Sequence, residues 1–138
     1  AWAEVHDMTL ILEMKCHGNR EYRSAELLAS SLRKTPKANI IVSSFDIDFL
    51  RYFRTFAPHI PLASVHNFFP EDIYFLKTEL AIEAVHLDSD LISASTNITV
   101  FHQQGIKIRA STVNDPSRAY DLFDLGVDMV MSDYPEQI

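Results

Sequence analysis

The sequence is poor in cysteine and glycine and holds no long hydrophobic stretch. Its single cysteine, Cys16, excludes an internal disulfide and a cysteine-rich zinc site, and it fits a reducing compartment. Only 3 glycines occur in 138 residues, and no glycine-rich phosphate loop is seen late in the chain. The lack of any run of 18 apolar residues excludes a transmembrane helix. No signal peptide opens the chain, but Ala1 is not a natural start, so this absence is weak evidence.

Positive charge is scarce as well. The chain has 12 lysines and arginines against 19 aspartates and glutamates, which gives a formal net charge of −7. A general nucleic-acid binder needs a basic surface, and an anionic membrane attracts one, so we expect neither partner. An anionic small substrate remains compatible with this balance, because a local positive site can lie inside an acidic protein.

A repeating unit organises the chain: a short apolar run, a polar turn and a helical pattern. We expect one domain, residues 1–138, because 47% of the residues are apolar and the length supports a core. The starts of the runs are about 20 to 30 residues apart, the length of a strand plus a returning helix, so they predict parallel strands buried on both faces. The runs are residues 9–14, 39–42, 61–65, 82–87, 106–110 and 127–131.

Helix start and stop residues lie between these runs. Asp46 is a candidate N-cap for a helix over 47–56, and Asp115 followed by Pro116 predicts another helix start. Gly105 and Gly126 are suited to helix ends. The pattern gives six βα-like units, the last without its helix. A closed barrel needs eight units and an open doubly wound sheet can use six, so periodicity leaves both architectures open.

Glu13 and Lys15 are the first candidate site residues. Side chains alternate along a strand, so both lie on one face of the run 9–14 and its end, opposite Leu12. They stand at the carboxyl end of the strand, where α/β proteins place their sites. The pair can hold a hard cation and a phosphate oxygen side by side, or it can be a salt bridge at the barrel mouth.

Polar residues lie in or just after four other runs. Ser43 and Ser44 can bind a ligand or cap the next helix, and we favour the cap. His86 shares a face with Ala84 and fits a hydrogen-bonded core histidine better than a catalytic one. Arg109 shares a face with Ser111, and if that face is interior, Arg109 must be paired with an acid of a neighbouring strand or bind an anion. We favour the ion pair; Asp133, further on, can fix a turn.

Four of these segments, in order, resemble the glycerophosphodiester phosphodiesterases, and most closely the bacterial cytosolic members. Each motif is weak alone, but four in register form a fairly specific signal over nearly the whole chain. They are a Leu-Glu-Ile-Lys-like strand at 12–15, a Ser-Ser-Phe strand end at 43–45, Thr-Val-Asn at 112–114, and Gly-Val-Asp followed by an apolar run and Ser-Asp over 126–133.

The resemblance implies a (β/α)8 barrel of the TIM type, of which the six runs would be strands three to eight, with the two N-terminal βα units absent. The family's catalytic histidine pair and its Glu-x-Asp metal ligands would lie on those absent strands. By resemblance, Glu13 is a ligand of Mg²⁺ or Ca²⁺ and Lys15 contacts the phosphate. Ser111 replaces a usual pocket aromatic residue and Arg109 an apolar one, which makes both candidate substrate-binding residues.

For the full enzyme, the resemblance implies metal-assisted hydrolysis of glycerophosphodiesters to glycerol 3-phosphate and an alcohol in the cytoplasm. The chain by itself is expected to be inactive and to self-associate through open sheet edges. Two alternatives stay open: a degenerate barrel that acts as a non-catalytic binding module, and a phosphate-binding barrel with another chemistry.

Overall fold

The computed structural model describes residues 8–16, 18–34 and 39–138. In this part of the chain six strands alternate with helices. The strands are β1 (Thr9–Met14), β2 (Asn39–Ser44), β3 (Leu62–His66), β4 (Ala84–Asp88), β5 (Lys107–Ser111) and β6 (Met129–Met131). The helices are α1 (Glu21–Leu32), α2 (Ile47–Phe56), α3 (Ile73–Thr78), α4 (Thr99–Gln103) and α5 (Pro116–Asp124), and short 3-10 turns cover Ser89–Leu91 and Pro135–Gln137.

The six strands form one parallel sheet in the order β1-β2-β3-β4-β5-β6. Each strand therefore pairs with the next in the chain, and the strand order does not reverse. A doubly wound sheet reverses its order at a switch point, whereas a barrel adds each strand beside the last. The strand order thus decides the question that the sequence left open, in favour of part of a (β/α) barrel.

The two faces of the sheet carry different cores. Val42, Leu62 and Val85 belong to the large cluster that packs against the helices. On the opposite face Ile41, Ala63 and Ala84 form a small separate cluster. Because side chains alternate along strands, this second face is the barrel interior, and it also presents Glu13, Ser43, His86, Arg109 and Ser111, of which His86 pairs with Arg109 in register.

The predicted helix signals are confirmed. The Asp46 carboxylate accepts a hydrogen bond from the Phe49 amide at 2.9 Å, and Asp115 accepts one from the Ser117 amide at 3.0 Å. Gly105 and Gly126 follow α4 and α5 with φ of 66° and 99°, a region that favours glycine. These residues mark where α2 and α5 begin and where α4 and α5 end. The carboxyl ends of the strands lie at one edge because every strand pair is parallel.

At the edge of the sheet where the strands begin, an arginine that the sequence reasoning did not single out connects two loops. The Arg54 guanidinium, at the end of α2, donates hydrogen bonds to the carbonyls of Pro58, Ile60, Leu80 and Ala81 at 2.8 to 3.1 Å. These carbonyls precede β3 and β4, so one side chain holds the two αβ loops together. These hydrogen bonds hold the amino ends of β3 and β4 in place, at the edge of the sheet opposite the candidate site.

Candidate functional site

Glu13 and Lys15 lie together at the carboxyl end of β1. The Lys15 Nζ is 3.6 Å from the Glu13 Oε1, and the two side chains are 70% and 38% exposed. An ion pair this exposed contributes only about 0–1 kcal/mol to stability, because water screens it. Folding therefore gains little from the pair, and both charged groups stay accessible to a ligand.

The two serines at the end of β2 have different surroundings. Ser44 donates to the Met14 carbonyl at 2.7 Å and accepts from the Asp46 amide at 3.0 Å, so it joins β1 to the start of α2. Ser43 lies beside Glu13 in the sheet register and is 1% exposed. Within the described residues its hydroxyl has no hydrogen-bond partner. The cap that we favoured for these serines belongs to Asp46, with Ser44 supporting the turn.

His86 and Arg109 form a buried polar group inside the barrel. Arg109 is 3% exposed; its guanidinium donates to Glu83 at 2.7 Å and lies 3.3 Å from the His86 Nε2. The predicted ion pair with an acid of the neighbouring strand is therefore confirmed, and so is the interpretation of His86 as a core histidine. Burial, and then the charge of Arg109, lower the pKa of His86 to about 4. At neutral pH His86 is uncharged and accepts from the guanidinium.

Arg109 does not join Glu13 and Lys15. Its acidic partner Glu83 immediately precedes β4, so the guanidinium turns toward the amino ends of the strands. Ser111, half-buried, stands at the carboxyl end of β5, on the same edge of the sheet as Lys15.

A hydrogen-bonded cluster links the ends of β5 and β6 at that edge. The Asn114 side-chain oxygen accepts from the Ser132 hydroxyl and the Asp133 amide, both at 3.0 Å, and its amide nitrogen donates to the Asp133 carboxylate at 3.1 Å. The turn that we predicted at Asp133 is thus held by a residue 19 positions earlier. The cluster keeps these two strand ends in register.

His66 lies at the carboxyl end of β3, while His102 lies in α4. His102 pairs with Asp128 at 2.9 Å, and His66 lies 2.9 Å from the Ser64 hydroxyl. Burial raises the pKa of the Cys16 thiol, which therefore stays protonated at neutral pH and is a poor nucleophile. His6 and His17 lie outside the described residues.

The donor set for a divalent cation is incomplete in the part of the chain that the structure describes. No group of three or more histidine, cysteine, aspartate or glutamate side chains is placed to hold a metal there. Mg²⁺ and Ca²⁺ take six or more oxygen ligands and usually more than one carboxylate. Glu13 with Lys15 as its neighbour does not by itself fit such an ion.

The sequence reasoning missed a set of aromatic residues near this pair. Phe45 follows β2 and Phe68 follows β3, and their side chains are 48% and 68% exposed. With His66 and Glu71 they line a pocket at the carboxyl ends of the two strands. The run Asn-Phe-Phe-Pro directly after a strand was the available signal, because a group of exposed apolar side chains marks an interaction or ligand site.

The chain is similar to a known protein family. The model of the Glycerophosphoryl diester phosphodiesterase family matches residues 4–137, almost the whole chain. The chain belongs to this family. The resemblance carried by the four sequence motifs is thereby confirmed.

Solved structures agree on the fold. A phosphodiesterase from Oleispira antarctica, in complex with the product sn-glycerol-3-phosphate, aligns with a TM-score of 0.89 at 24% identity, over 97% of this chain and 55% of its own. A glycerophosphodiester phosphodiesterase from Parabacteroides distasonis aligns with a TM-score of 0.78 at 20% identity, over 94% of this chain and 54% of its own. This chain thus spans about half the length of these structures. None of the curated proteins matches it.

In residues 8–16, 18–34 and 39–138 no helix has the length and apolar character needed to cross a bilayer.

Proposed function

We propose that this chain is part of an enzyme that hydrolyses glycerophosphodiesters to glycerol 3-phosphate and an alcohol. The observation that carries the proposal is the family match over residues 4–137, on a parallel sheet that presents Lys15 and Glu13 at its carboxyl edge. In the reaction water gives a hydroxyl group to phosphorus, the bond between phosphorus and the alcohol oxygen breaks, and a proton goes to that oxygen.

Lys15 is the phosphate contact in this proposal. Its ammonium group is 70% exposed and carries three N–H donors, which suit the oxygens of a phosphodiester. Negative charge builds on these oxygens as water attacks, and a fixed cation within hydrogen-bond distance stabilises it. The Glu13 carboxylate lies 3.6 Å from this ammonium group. Ser111 is proposed as a further substrate contact from β5. Arg109 is proposed to stay in its interior ion pair with Glu83 and to make no direct contact with the substrate.

A divalent cation, Mg²⁺ or Ca²⁺, is the proposed cofactor. Glu13 would supply one carboxylate ligand, and the others would come from residues outside the described part of the chain. Titration calorimetry with each cation tests this without an activity readout. The chain alone should bind either ion weakly; a longer protein with two further βα units should bind tightly, and Glu13→Gln should weaken that binding at least about tenfold.

The chain alone is proposed to be inactive, because its described residues offer no complete cation site. The assay measures release of glycerol 3-phosphate from glycerophosphoglycerol by the 138-residue chain and by the longer protein. We expect product from the longer protein only. Metal-dependent release by the chain alone, lost on Glu13→Ala, would refute this expectation.

Matched lysine variants test the role of Lys15 in the longer protein. Lys15→Ala should lower kcat by about 10²-fold or more, as removal of a charge-stabilising donor does. Lys34→Ala, which removes an exposed lysine after α1, should leave it unchanged. A longer protein that folds but releases no glycerol 3-phosphate would favour the non-catalytic binding module instead.

The edges of the described sheet lead to a proposal about assembly. β1 and β6 are its outer strands, and β1 is only partly buried while β2 is almost fully buried. Unpaired strand edges template pairing with other chains. We propose that the 138-residue chain self-associates through these edges, and a monodisperse monomer in light scattering would count against it. A cytoplasmic location is proposed from the resemblance alone.

A further inference from the structure

A pocket of about 650 Å³, which we call the amino-edge pocket, lies where β1 and β2 begin, at the edge of the sheet opposite Lys15. Thr9 and Asn39, the first residues of these strands, pair in register and both line it. The end of α1 and the loop before β3 add Arg33 and His59 to its walls. Barrel enzymes carry out their chemistry at the carboxyl ends of the strands, so this pocket is separate from the candidate functional site. Pockets of this size accommodate small molecules.

Much of the wall of the amino-edge pocket is apolar, and part of it is held in place by hydrogen bonds. The apolar side chains are those of Leu32, Ile40, Ile41, Ile60 and Pro61. The Arg54 guanidinium donates to the carbonyls of Pro58 and Ile60, at 2.8 and 3.0 Å, and so fixes the loop on both sides of His59. A pocket whose loop is ordered beforehand loses less conformational freedom when a ligand binds.

Four polar side chains line this pocket without a partner in the part of the chain that the structure describes. They are those of Thr9, Arg33, Asn39 and His59, and none has a hydrogen bond or an ion pair there. The Arg33 guanidinium carries five N–H donors in a planar fork that matches the two oxygens of a carboxylate. The Asn39 amide adds two more donors. Donors thus outnumber acceptors among these side chains, which favours an anionic ligand.

The charges at the pocket favour an anion with a single negative charge. Glu83 also lines the pocket, but its carboxylate accepts from Arg109 at 2.7 Å, which offsets its charge. Arg33 has no such partner among the described residues, so its positive charge remains for a ligand. A phosphate monoester carries about 1.5 to 2 negative charges at pH 7, and Glu83 opposes the excess. A carboxylate carries one charge and keeps the planar match to the guanidinium.

We propose that the amino-edge pocket binds a monocarboxylate with a compact apolar body, such as the anion of a short-chain fatty acid. The Arg33 guanidinium takes the carboxylate, the Asn39 amide donates to it, and the alkyl chain packs against Ile40 and Ile60. The inference does not rest on the proposed hydrolysis, because it uses none of the residues at the carboxyl edge of the sheet.

NMR titration of the 138-residue chain with hexanoate tests the pocket. We expect the backbone amide signals of Thr9, Asn39 and His59 to shift. Hexan-1-ol, which keeps the alkyl chain but has no charge, should bind about fivefold more weakly, the upper range for an ion pair that water reaches. Butanoate has a shorter chain and should bind about threefold to fifteenfold more weakly, because it buries fewer methylene groups.

Variants with matched controls locate the carboxylate. Arg33→Gln should weaken hexanoate binding about fivefold, and Arg33→Lys, which keeps the charge without the planar fork, should weaken it less. Asn39→Asp places a negative charge in the pocket and should also weaken binding. Arg20→Gln removes an exposed guanidinium at the other end of α1, and Lys15→Ala removes the cation at the opposite edge; both should keep the affinity of the unchanged protein. All four positions are exposed, so the circular dichroism spectra should stay unaltered.

Several outcomes would overturn the inference: no hexanoate binding, equal binding of hexan-1-ol, unchanged affinity in Arg33→Gln, or signal shifts centred on Lys15 instead of Thr9 and Asn39. Tighter binding of hexyl phosphate than of hexanoate would overturn the choice of a carboxylate. Release of glycerol 3-phosphate by the longer protein is a separate measurement. Failure of the amino-edge pocket would therefore leave the proposed function standing, and failure of hydrolysis would leave the pocket standing.

Discussion

His86 should make the stability of this chain fall steeply in mild acid. Its pKa is about 4 in the folded protein, because burial and then Arg109 oppose its charge, against an ordinary value of 6.5. The unfolded chain therefore binds a proton to His86 at a pH where the folded chain does not, and unfolding is favoured as pH falls. The stability contribution is complete above pH 6.5 and is lost progressively down to pH 4.

The size of the effect follows from the two pKa values. The full difference of about 2.5 units corresponds to about 3 kcal/mol at 1.36 kcal/mol per unit, and about 2 kcal/mol of it falls between pH 7 and pH 5. That is a large share of the stability of a small domain, which is about 5–15 kcal/mol. Glu83 is the acidic partner of Arg109, at 2.7 Å.

Urea unfolding at pH 7 and pH 5 measures the effect, with His86→Gln as the matched variant. Glutamine keeps an acceptor for Arg109 but does not titrate. Between pH 7 and pH 5 the free energy of unfolding of His86→Gln should therefore fall by about 2 kcal/mol less than that of the unchanged protein. His59→Gln, at an exposed position, should behave like the unchanged protein. If the free energy of unfolding falls equally from pH 7 to pH 5 in the unchanged protein and in His86→Gln, the depressed pKa of His86 is wrong. NMR titration of the imidazole checks the pKa directly.

Two further changes test the interior ion pair and a helix cap by urea unfolding. Glu83→Gln leaves the buried Arg109 without its counter-charge and should cost about 2–3 kcal/mol, below the usual figure for buried pairs because Glu83 is 34% exposed. Asp46→Ala removes the acceptor for the Phe49 amide and should cost about 1 kcal/mol.

The controls for these two changes are exposed acids, Glu79→Gln and Asp124→Ala, each expected to stay within about 0.5 kcal/mol of the unchanged protein. If Glu83→Gln and Glu79→Gln lose the same free energy of unfolding, the ion pair of Glu83 with Arg109 contributes nothing to stability. If Asp46→Ala has the same free energy of unfolding as the unchanged protein, the Asp46 cap contributes nothing to the stability of α2.

The site could be predicted only in part. Glu13 and Lys15 were found because alternation along one strand places both charges on one face, a local property of residues 9–15. Arg109 was correctly expected to pair, since a buried guanidinium requires an acid, but its partner Glu83 lies 26 residues earlier and only the sheet register brings them together. The roles of Glu13 in metal binding and Lys15 in phosphate binding stay predictions.

What the sequence by itself determined is the set of six strands, their parallel direction and the helix starts after Asp46 and Asp115. Strands buried on both faces are mostly apolar, and caps require particular residues beside the helix, so both leave a local pattern in the sequence. What only the tertiary structure decided is the sequential strand order that makes a barrel, the burial of the Ser43 hydroxyl, which has no hydrogen-bond partner among the described residues, and the aromatic pocket. Each of these depends on segments that are distant in the chain but adjacent in the sheet, and no local pattern encodes that adjacency.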